Sequence, residues 1–530
     1  MVPHAQFVEP DIHRDFPETE TGQFNGATEA AVAGVRVFCG VFIVEGVRIA
    51  LLLSTGERYF SLITNFLCII VISRLMTPEE IGVSVVGLAI MALALSAREF
   101  VSTNYLIQEQ SLTHEDVQSA FTMTALFTFA MAAILYVSAP GIGSLYEDAR
   151  LVPYLRVIAF ALGFEVVSAP ILTLLKREMA FGRLAVISIA GTAVSAVVSI
   201  GLASFGFSYM SFAWGWVTAE VVTAGLTLAI SPRFWIFRPC FTQCHKILSF
   251  GGYNGAMMLM HRLYEQIPYL LLGRLLSLHY VAIYSRSLLL CQLPDKIILG
   301  GAGSVILPAF SAEVRKGRDL KSPYLKALQI ISGMQWPALC LLAILAHPAV
   351  LIVLGNQWLE AVLLVRIMAF ALMFSFGFDL NYPILVSLGA VRDMFLRTLI
   401  VTPVSILITC VAAFISLEAV AFSLFIVIPF QAWVSLHYIR KHITVPWNEI
   451  GRSLQPSFIV ALCSAAPGFA MTLAVPLDGV VVLPIFLCVA SAFAGWLFGL
   501  WLTAHPLGHE ILYILGRVEH AYRRFALKKA

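Results

Sequence analysis

Arg262 and Glu265 stand three residues apart inside an otherwise apolar run, 247–272, and Asp295-Lys296 stand together inside another, 279–304. An ionisable group at the centre of a bilayer costs roughly 2.5–3.5 kcal/mol or more, so within such runs it must face a protein interior or a wet cavity. Positions i and i+3 share a helix face, so Arg262 and Glu265 can pair with each other. The same arginine, together with Lys296, can instead hold an anion. Pro294 directly precedes Asp295 and is expected to break its helix, freeing backbone groups to line a polar cavity. Arg286 lies earlier in the same run as a further anion contact. Glu165 and Glu220 fall near the middle of the runs 152–173 and 209–230 and have no cation close in sequence. Such carboxyls can carry a proton or Na⁺ in a coupled cycle, or simply hydrogen-bond between helices, and Asp295 joins them as an ion-coupling candidate. Asp379 reads as a rim residue near one end of the run 359–386. Arg156 and Arg366 read as gate or headgroup contacts near the opposite end of theirs.

The elements that must position these groups are membrane helices. Of 530 residues, 59% are hydrophobic and only 12% charged, about half the roughly 25% charge of soluble proteins. That excludes a soluble, disordered or coiled-coil chain. Scanning for apolar runs of about 20 residues finds roughly fourteen. Numbering the loops alternately from a cytoplasmic N-terminus puts most basic residues on one side: Arg98, Lys176, Arg177, Arg183, Arg233, Arg238 and Lys246 among them, then the cluster Arg315–Lys326 and the C-terminal tail. The other side carries only Arg74, Arg150, Arg156, Arg274 and Arg366. That asymmetry follows the positive-inside rule and places both termini in the cytoplasm. Residues 1–30 hold no apolar core and read as a disordered tail without a cleavable signal; 31–53, apolar but interrupted by Arg36, Glu45 and Arg48, reads as an interfacial amphipathic helix.

The chain also repeats itself. Shifted by 200, Ile72-Ser73-Arg74-Leu75-Met76-Thr77 lies on Leu272-Gly273-Arg274-Leu275-Leu276-Ser277; shifted by 210, Arg156-Val157-Ile158-Ala159-Phe160-Ala161-Leu162 lies on Arg366-Ile367-Met368-Ala369-Phe370-Ala371-Leu372. Matched arginines at matched helix ends are more than apolar coincidence. The expected fold is therefore all-α integral membrane: two homologous six-helix lobes, 54–246 and 247–442, two extra transmembrane helices within 443–503, and a basic tail, 504–530.

Ser73-Arg74-Leu75-Met76-Thr77-Pro78-Glu79-Glu80-Ile81-Gly82 resembles a signature of the polysaccharide-transporter branch of the multidrug/oligosaccharidyl-lipid/polysaccharide (MOP) flippase superfamily. Arg98-Glu99-Phe100, Tyr284-Ser285-Arg286, Leu307-Pro308-Ala309-Phe310-Ser311 and Leu354-Gly355-Asn356-Gln357-Trp358 resemble that family in the same order, and His279-Tyr280-Val281-Ala282 departs from it. The resemblance implies a flippase of the bacterial inner membrane, moving polyprenyl-diphosphate-linked oligosaccharide for lipopolysaccharide or exopolysaccharide assembly. Arg262, Lys296 and Arg286 are then candidates for the diphosphate and Glu265 for a neighbouring contact. Implied partners are this lipid-linked substrate, membrane lipids, and polysaccharide polymerase and chain-length proteins.

Two alternatives stay open: a multidrug/cation antiporter of the same superfamily, and a membrane polysaccharide polymerase or ligase. The second needs a large loop, and no stretch between the apolar runs exceeds about 20 residues. Without an Asp-x-Asp, a Gly-rich nucleotide loop or a Ser/His/Asp constellation, the sequence suggests neither an enzyme nor a bound cofactor. Cys240, Cys244 and His245 lack the second ligand pair a structural metal needs, and the basic tail reads as a membrane-side anchor with no nucleic acid involved.

Overall fold

The computed structural model describes residues 53–101, 105–109, 112–474 and 482–512. The expected N-terminal tail, nearly all of the interfacial helix, and the tail beyond 512 lie outside those residues. Every long element is a helix: α1 (Leu53–Leu75), α2 (Pro78–Arg98), α3 (His114–Leu145), α4 (Leu151–Arg177), α5 (Phe181–Ser204), α6 (Met210–Ile230), α7 (Cys244–Leu275) and α8 (Leu278–Arg315). There follow α9 (Lys321–Ile344), a broken α10 (Ala361–Leu372, then Phe376–Ser387), α11 (Val391–Ala413), α12 (Leu417–Arg440), α13 (Trp447–Ala474) and α14 (Val482–Leu502). The described residues contain no strand. Eleven of these helices are long and apolar enough to cross a membrane, and the two halves of α10 together make a twelfth. The expectation of fourteen differs at α7 and α8, which are long but carry the charges and polar groups of the sites described below.

Local chemistry sets the helix starts. Thr77 caps α2 in a reciprocal capping box with Glu80, with Pro78 at the first helical position. Ser277, its counterpart in the repeat, caps α8 by accepting from the Tyr280 amide.

Burial follows the same repeat. Around the 200-residue shift, Ile72 and Leu272 are buried while Arg74 and Arg274 are exposed, and residues 81–84 and 281–284 are buried throughout. Around the 210-residue shift, Arg156 and Arg366 are both exposed, flanked by buried Leu155 and Val365.

Contacts between the repeats concentrate at α2, which packs on α7 and α8. Gly82 permits the approach: a Cβ there would run into the Leu278 backbone carbonyl. At the end carrying the α1–α2, α3–α4, α7–α8 and α9–α10 connections, the halves interlock through repeat-related residues. Arg74 donates to the Ile352 carbonyl in the α9–α10 connection, and Arg274 pairs with Glu147 in the α3–α4 connection at 3.3 Å. From the same two connections, Gln357 donates to the Met76 carbonyl at 2.8 Å and Tyr146 to the Leu270 carbonyl at 3.2 Å. Trp358, fully buried, donates to the Ser73 carbonyl at 2.8 Å. These bonds seal the two halves to each other at this end.

One expectation fails. Pro294 does not break its helix, and α8 runs continuously through both Pro294 and Pro308. A membrane helix tolerates the lost amide when neighbours hold it along its length, and α2, α9 and α10 pack on α8. The break falls instead in α10, whose halves meet at 56°. There the indole of Trp336 in α9 donates to the Met373 carbonyl at 2.6 Å, satisfying a group the break would otherwise leave open.

Candidate functional site

A cavity of about 440 Å³ lies between α7, α8, α10, α11 and α12. Its wall includes Glu265 and His261 from α7, Asp295 and Lys296 from α8, and Asp379 from the second half of α10. The α10 break sets up a polar chain across it. Gln335 of α9, wholly buried, donates to Asp295 at 2.6 Å and to Ser375 at 2.6 Å, and Ser375 donates to Asp379 at 3.3 Å. Asp379 is therefore part of the cavity wall, not a rim residue. The residue count placed it near a helix end, and the kink turned it inward.

Arg262 and Lys296 do not meet directly. Lys296 lines the cavity. Arg262 is half exposed and pairs with Glu265 at 2.8 Å, while His261 reaches the other Glu265 oxygen at 3.4 Å. Arg262 is seven residues from Gly255 and eleven from Gly273, so all three share one face of α7. Gly255 abuts Phe100, and Gly273 abuts Val86 and Tyr146, all from the first half of the chain. Arg262 therefore looks across at the other half, Lys296 into the cavity of its own, and Glu265 joins the two surfaces.

Arg286 is 6% exposed and sits outside that cavity wall. Its guanidinium lies 5.9 Å from the Trp358 ring, its Nε is without a hydrogen-bond partner, and among the described residues it has no carboxylate partner. The repeat places it where the first half has Val86, a buried core residue. It is a charge set in an apolar socket beside the seal.

The first half has its own polar chamber. Glu165, which has no cation near it in sequence, pairs with Arg98 at 2.8 Å, both side chains about four-fifths buried. The sequence put Arg98 in a loop because it ends its apolar run; folded, it reaches back along α4. Glu220 lines this cavity of about 350 Å³ and an adjoining one of about 660 Å³, with Lys176 and Thr223 common to both. Arg156 stacks over the Tyr136 ring at 5.0 Å. Among the described residues no three His, Cys, Asp or Glu side chains converge as a metal centre would require.

Sequence reasoning missed the Gln335–Ser375–Asp379 chain and the pairing of His279 with Glu79 at 3.0 Å and Glu360 at 2.8 Å. A signal existed for the latter: Glu79 and His279 are repeat equivalents, and the departure from the family pattern begins at that histidine.

The architecture matches solved transporters. It is similar to the lipid II flippase MurJ in an inward closed conformation, with a TM-score of 0.68 at 12% identity, covering 84% of this chain and 98% of that one. An inward-facing multidrug resistance MATE transporter of the MOP superfamily matches at a TM-score of 0.58 and 13% identity, covering 74% of this chain and 98% of the other. In sequence, the chain is 25% identical over 304 residues to the succinoglycan biosynthesis transport protein ExoT of Rhizobium meliloti (strain 1021), covering 56% of this chain and 60% of that one. It is 20% identical over 292 residues to the lipopolysaccharide biosynthesis protein WzxC of Escherichia coli (strain K12), covering 54% and 59%. The matches thus span about three-fifths of the relatives' length. The model of the polysaccharide biosynthesis protein family matches residues 71–363, which takes in the sealed end, Arg98, Glu165, Glu220, Glu265 and Lys296 but not Ser375 or Asp379. On that match the chain belongs to the polysaccharide biosynthesis protein family, and its apolar helices make it a multi-pass membrane protein.

Proposed function

We propose that the protein is a flippase that carries polyprenyl-diphosphate-linked oligosaccharide across the bacterial inner membrane for lipopolysaccharide or exopolysaccharide assembly, by alternating access between the lobes 54–246 and 247–442. The observation that carries this reading is the sealed end. Two repeat-related halves close on each other there: Arg74 and its repeat equivalent Arg274 each bond to a connection of the opposite half, and Glu79 meets its own equivalent, His279. A pair of homologous lobes hinged about a pseudo-two-fold axis can open that end by closing the other. The basic-residue asymmetry assigns the sealed end to the periplasm and both termini to the cytoplasm.

In this reading the diphosphate engages Lys296 and Arg262 as the lobes part, and Glu265 relays between them. On the lipid side of Lys296, an apolar groove of about 490 Å³ runs between α8, α9, α13 and α14, lined by Pro294, Ile297, Met334 and Trp496. It suits a polyprenyl chain whose headgroup lies in the interior. The chain performs no covalent chemistry in this scheme, and a polymerase with its chain-length protein would take the delivered units. Asp295 and Asp379, joined through Gln335 and Ser375, are the coupling candidates, ahead of Glu165, which Arg98 already neutralises.

The test is deletion of the gene in its host. Surface polysaccharide should disappear and lipid-linked units accumulate on the cytoplasmic face, both reversed by the intact gene. Normal polysaccharide in a host without a second copy sinks the reading. The carboxylates of the second-half cavity outnumber its one lysine, Lys296, which favours a second reading, cation-driven drug antiport. A gain of broad drug resistance in a pump-deficient strain would favour it.

A further inference from the structure

We infer that His279 is a positioning residue of the transport cycle: a proton-dependent latch that holds the lobes together at the sealed end. Its Nδ1 lies 3.0 Å from Glu79 at the start of α2, in the other lobe, and its Nε2 lies 2.8 Å from Glu360 in the α9–α10 connection. An ionised carboxylate only accepts hydrogen bonds, and a neutral imidazole has a single N–H. Both contacts are therefore hydrogen bonds only when the ring is the doubly protonated imidazolium. When it loses a proton, one carboxylate faces a ring lone pair and the latch loses its charge.

The position is as informative as the geometry. Glu79 and His279 are equivalent residues of the 200-residue repeat, each in the first turn of the helix after a capped turn. Repeat-equivalent groups meet each other only near the pseudo-two-fold axis that relates the two halves. Like residues at such a place would repel or do nothing; an acid facing a base holds. The side chains are reachable by water, His279 at 24% and Glu79 at 51% exposure, so the ring can exchange protons with the medium.

The surroundings leave His279 as the titrating member. From α2, Glu80 is turned away and accepts from the Thr77 amide at 2.8 Å and from Ser208. At the end of α1, Arg74 is spent on the Ile352 carbonyl. At the end of α7, Arg274 is held by Glu147. On α8 itself, Tyr280 offers only its ring, edge-on at 5.4 Å. No arginine or lysine among the described residues pairs with Glu79 or Glu360 in place of the histidine. Imidazoles titrate near about pH 6.5 when unperturbed, so the latch is complete in acid and lost as pH rises through the titration.

The inference rests on the two lobes parting at this end, not on what is carried. Spin labels at exposed Ala149→Cys and Leu359→Cys, one on each lobe, report the gap by pulsed electron resonance in nanodiscs, with the native cysteines replaced. At about pH 5.5 the wild-type histidine should give one short-distance population; at about pH 9 at least half should move to a longer distance. His279→Gln should show the longer population at both pH values, and His279→Lys, with three donors and a permanent charge, should keep the short one at both. Melting temperature checks that each variant is folded. A wedge, Gly82→Trp, driven against the Leu278 carbonyl, shows whether the lobes can part at all. If the wedge parts them but the wild type ignores pH, or His279→Gln titrates like the wild type, the latch is overturned while the two-lobe reading stands. If the wedge parts nothing, both fall.

Discussion

At the residue scale, what matters is whether a charge has its counter-charge. Arg262 and Glu265 form a half-exposed pair, and such pairs contribute about 0–1 kcal/mol. Arg262→Ala should therefore leave protein abundance in the membrane nearly unchanged, and any loss of polysaccharide export reports on transport itself. Lys296→Ala should cut export at least tenfold at normal abundance, with export and abundance measured by blotting the same cells; full export by the stable variant removes Lys296 from the site. Arg98 is different. Its loss leaves the Glu165 carboxylate about four-fifths buried without a partner, a cost of roughly 1–3 kcal/mol. Arg98→Ala should lower the melting temperature, and adding Glu165→Gln should restore most of it. If the double variant melts no higher than the single, the pair is not what stabilises this region. The sequence singled out Glu165, Arg262, Glu265 and Lys296 because ionisable groups stand out in apolar runs, and it put Arg98 in a loop. It could not pair Arg98 with Glu165, 67 residues away, because pairing across helices depends on rotation and tilt, which the hydrophobic pattern leaves undetermined.

At the element scale, close approach and breaks decide what the helices can do. Gly82 lets α2 lie against the start of α8, and Gly377 lets the second half of α10 lie against Ala432 of α12. A methyl group added at Gly82 meets backbone that cannot yield cheaply. Gly82→Ala should cost roughly 1–3 kcal/mol by overpacking. The control is Gly141→Ala, where nothing lies within 4 Å of the added carbon; equal melting temperatures for the two would show that α2 and α8 are not tightly packed. Helix starts were legible: Thr77-Pro78-Glu79-Glu80 is a capping box on sight, and the structure has it. The break was misplaced. Proline is the usual marker of one, yet Pro294 lies within a continuous helix, while α10 bends at Met373-Phe374-Ser375, which contains neither proline nor glycine. That bend depends on Trp336 and Gln335 of a different helix, and no local pattern announces it.

At the scale of the whole molecule, the basic residues predict which way it sits in the membrane. In intact cells opened only at the outer membrane, an impermeant thiol reagent should label Ala149→Cys in the α3–α4 connection and spare Gly317→Cys beside Lys316 and Arg318; the reverse pattern inverts the topology. The amino-acid sequence by itself determined that this is a helical membrane protein, and it alone displayed the internal repeat and the few charges set inside apolar runs. Composition and periodicity report partition between lipid and water, and the repeat carries its own alignment. Only the tertiary structure decided which charges meet. It turned Asp379 inward, buried Arg286 away from the cavity, and set His279 against its own repeat equivalent, Glu79. Partition free energy is a property of each segment alone, whereas an ion pair, a kink or a gate is a property of two or more segments, fixed by how neighbouring helices rotate and pack.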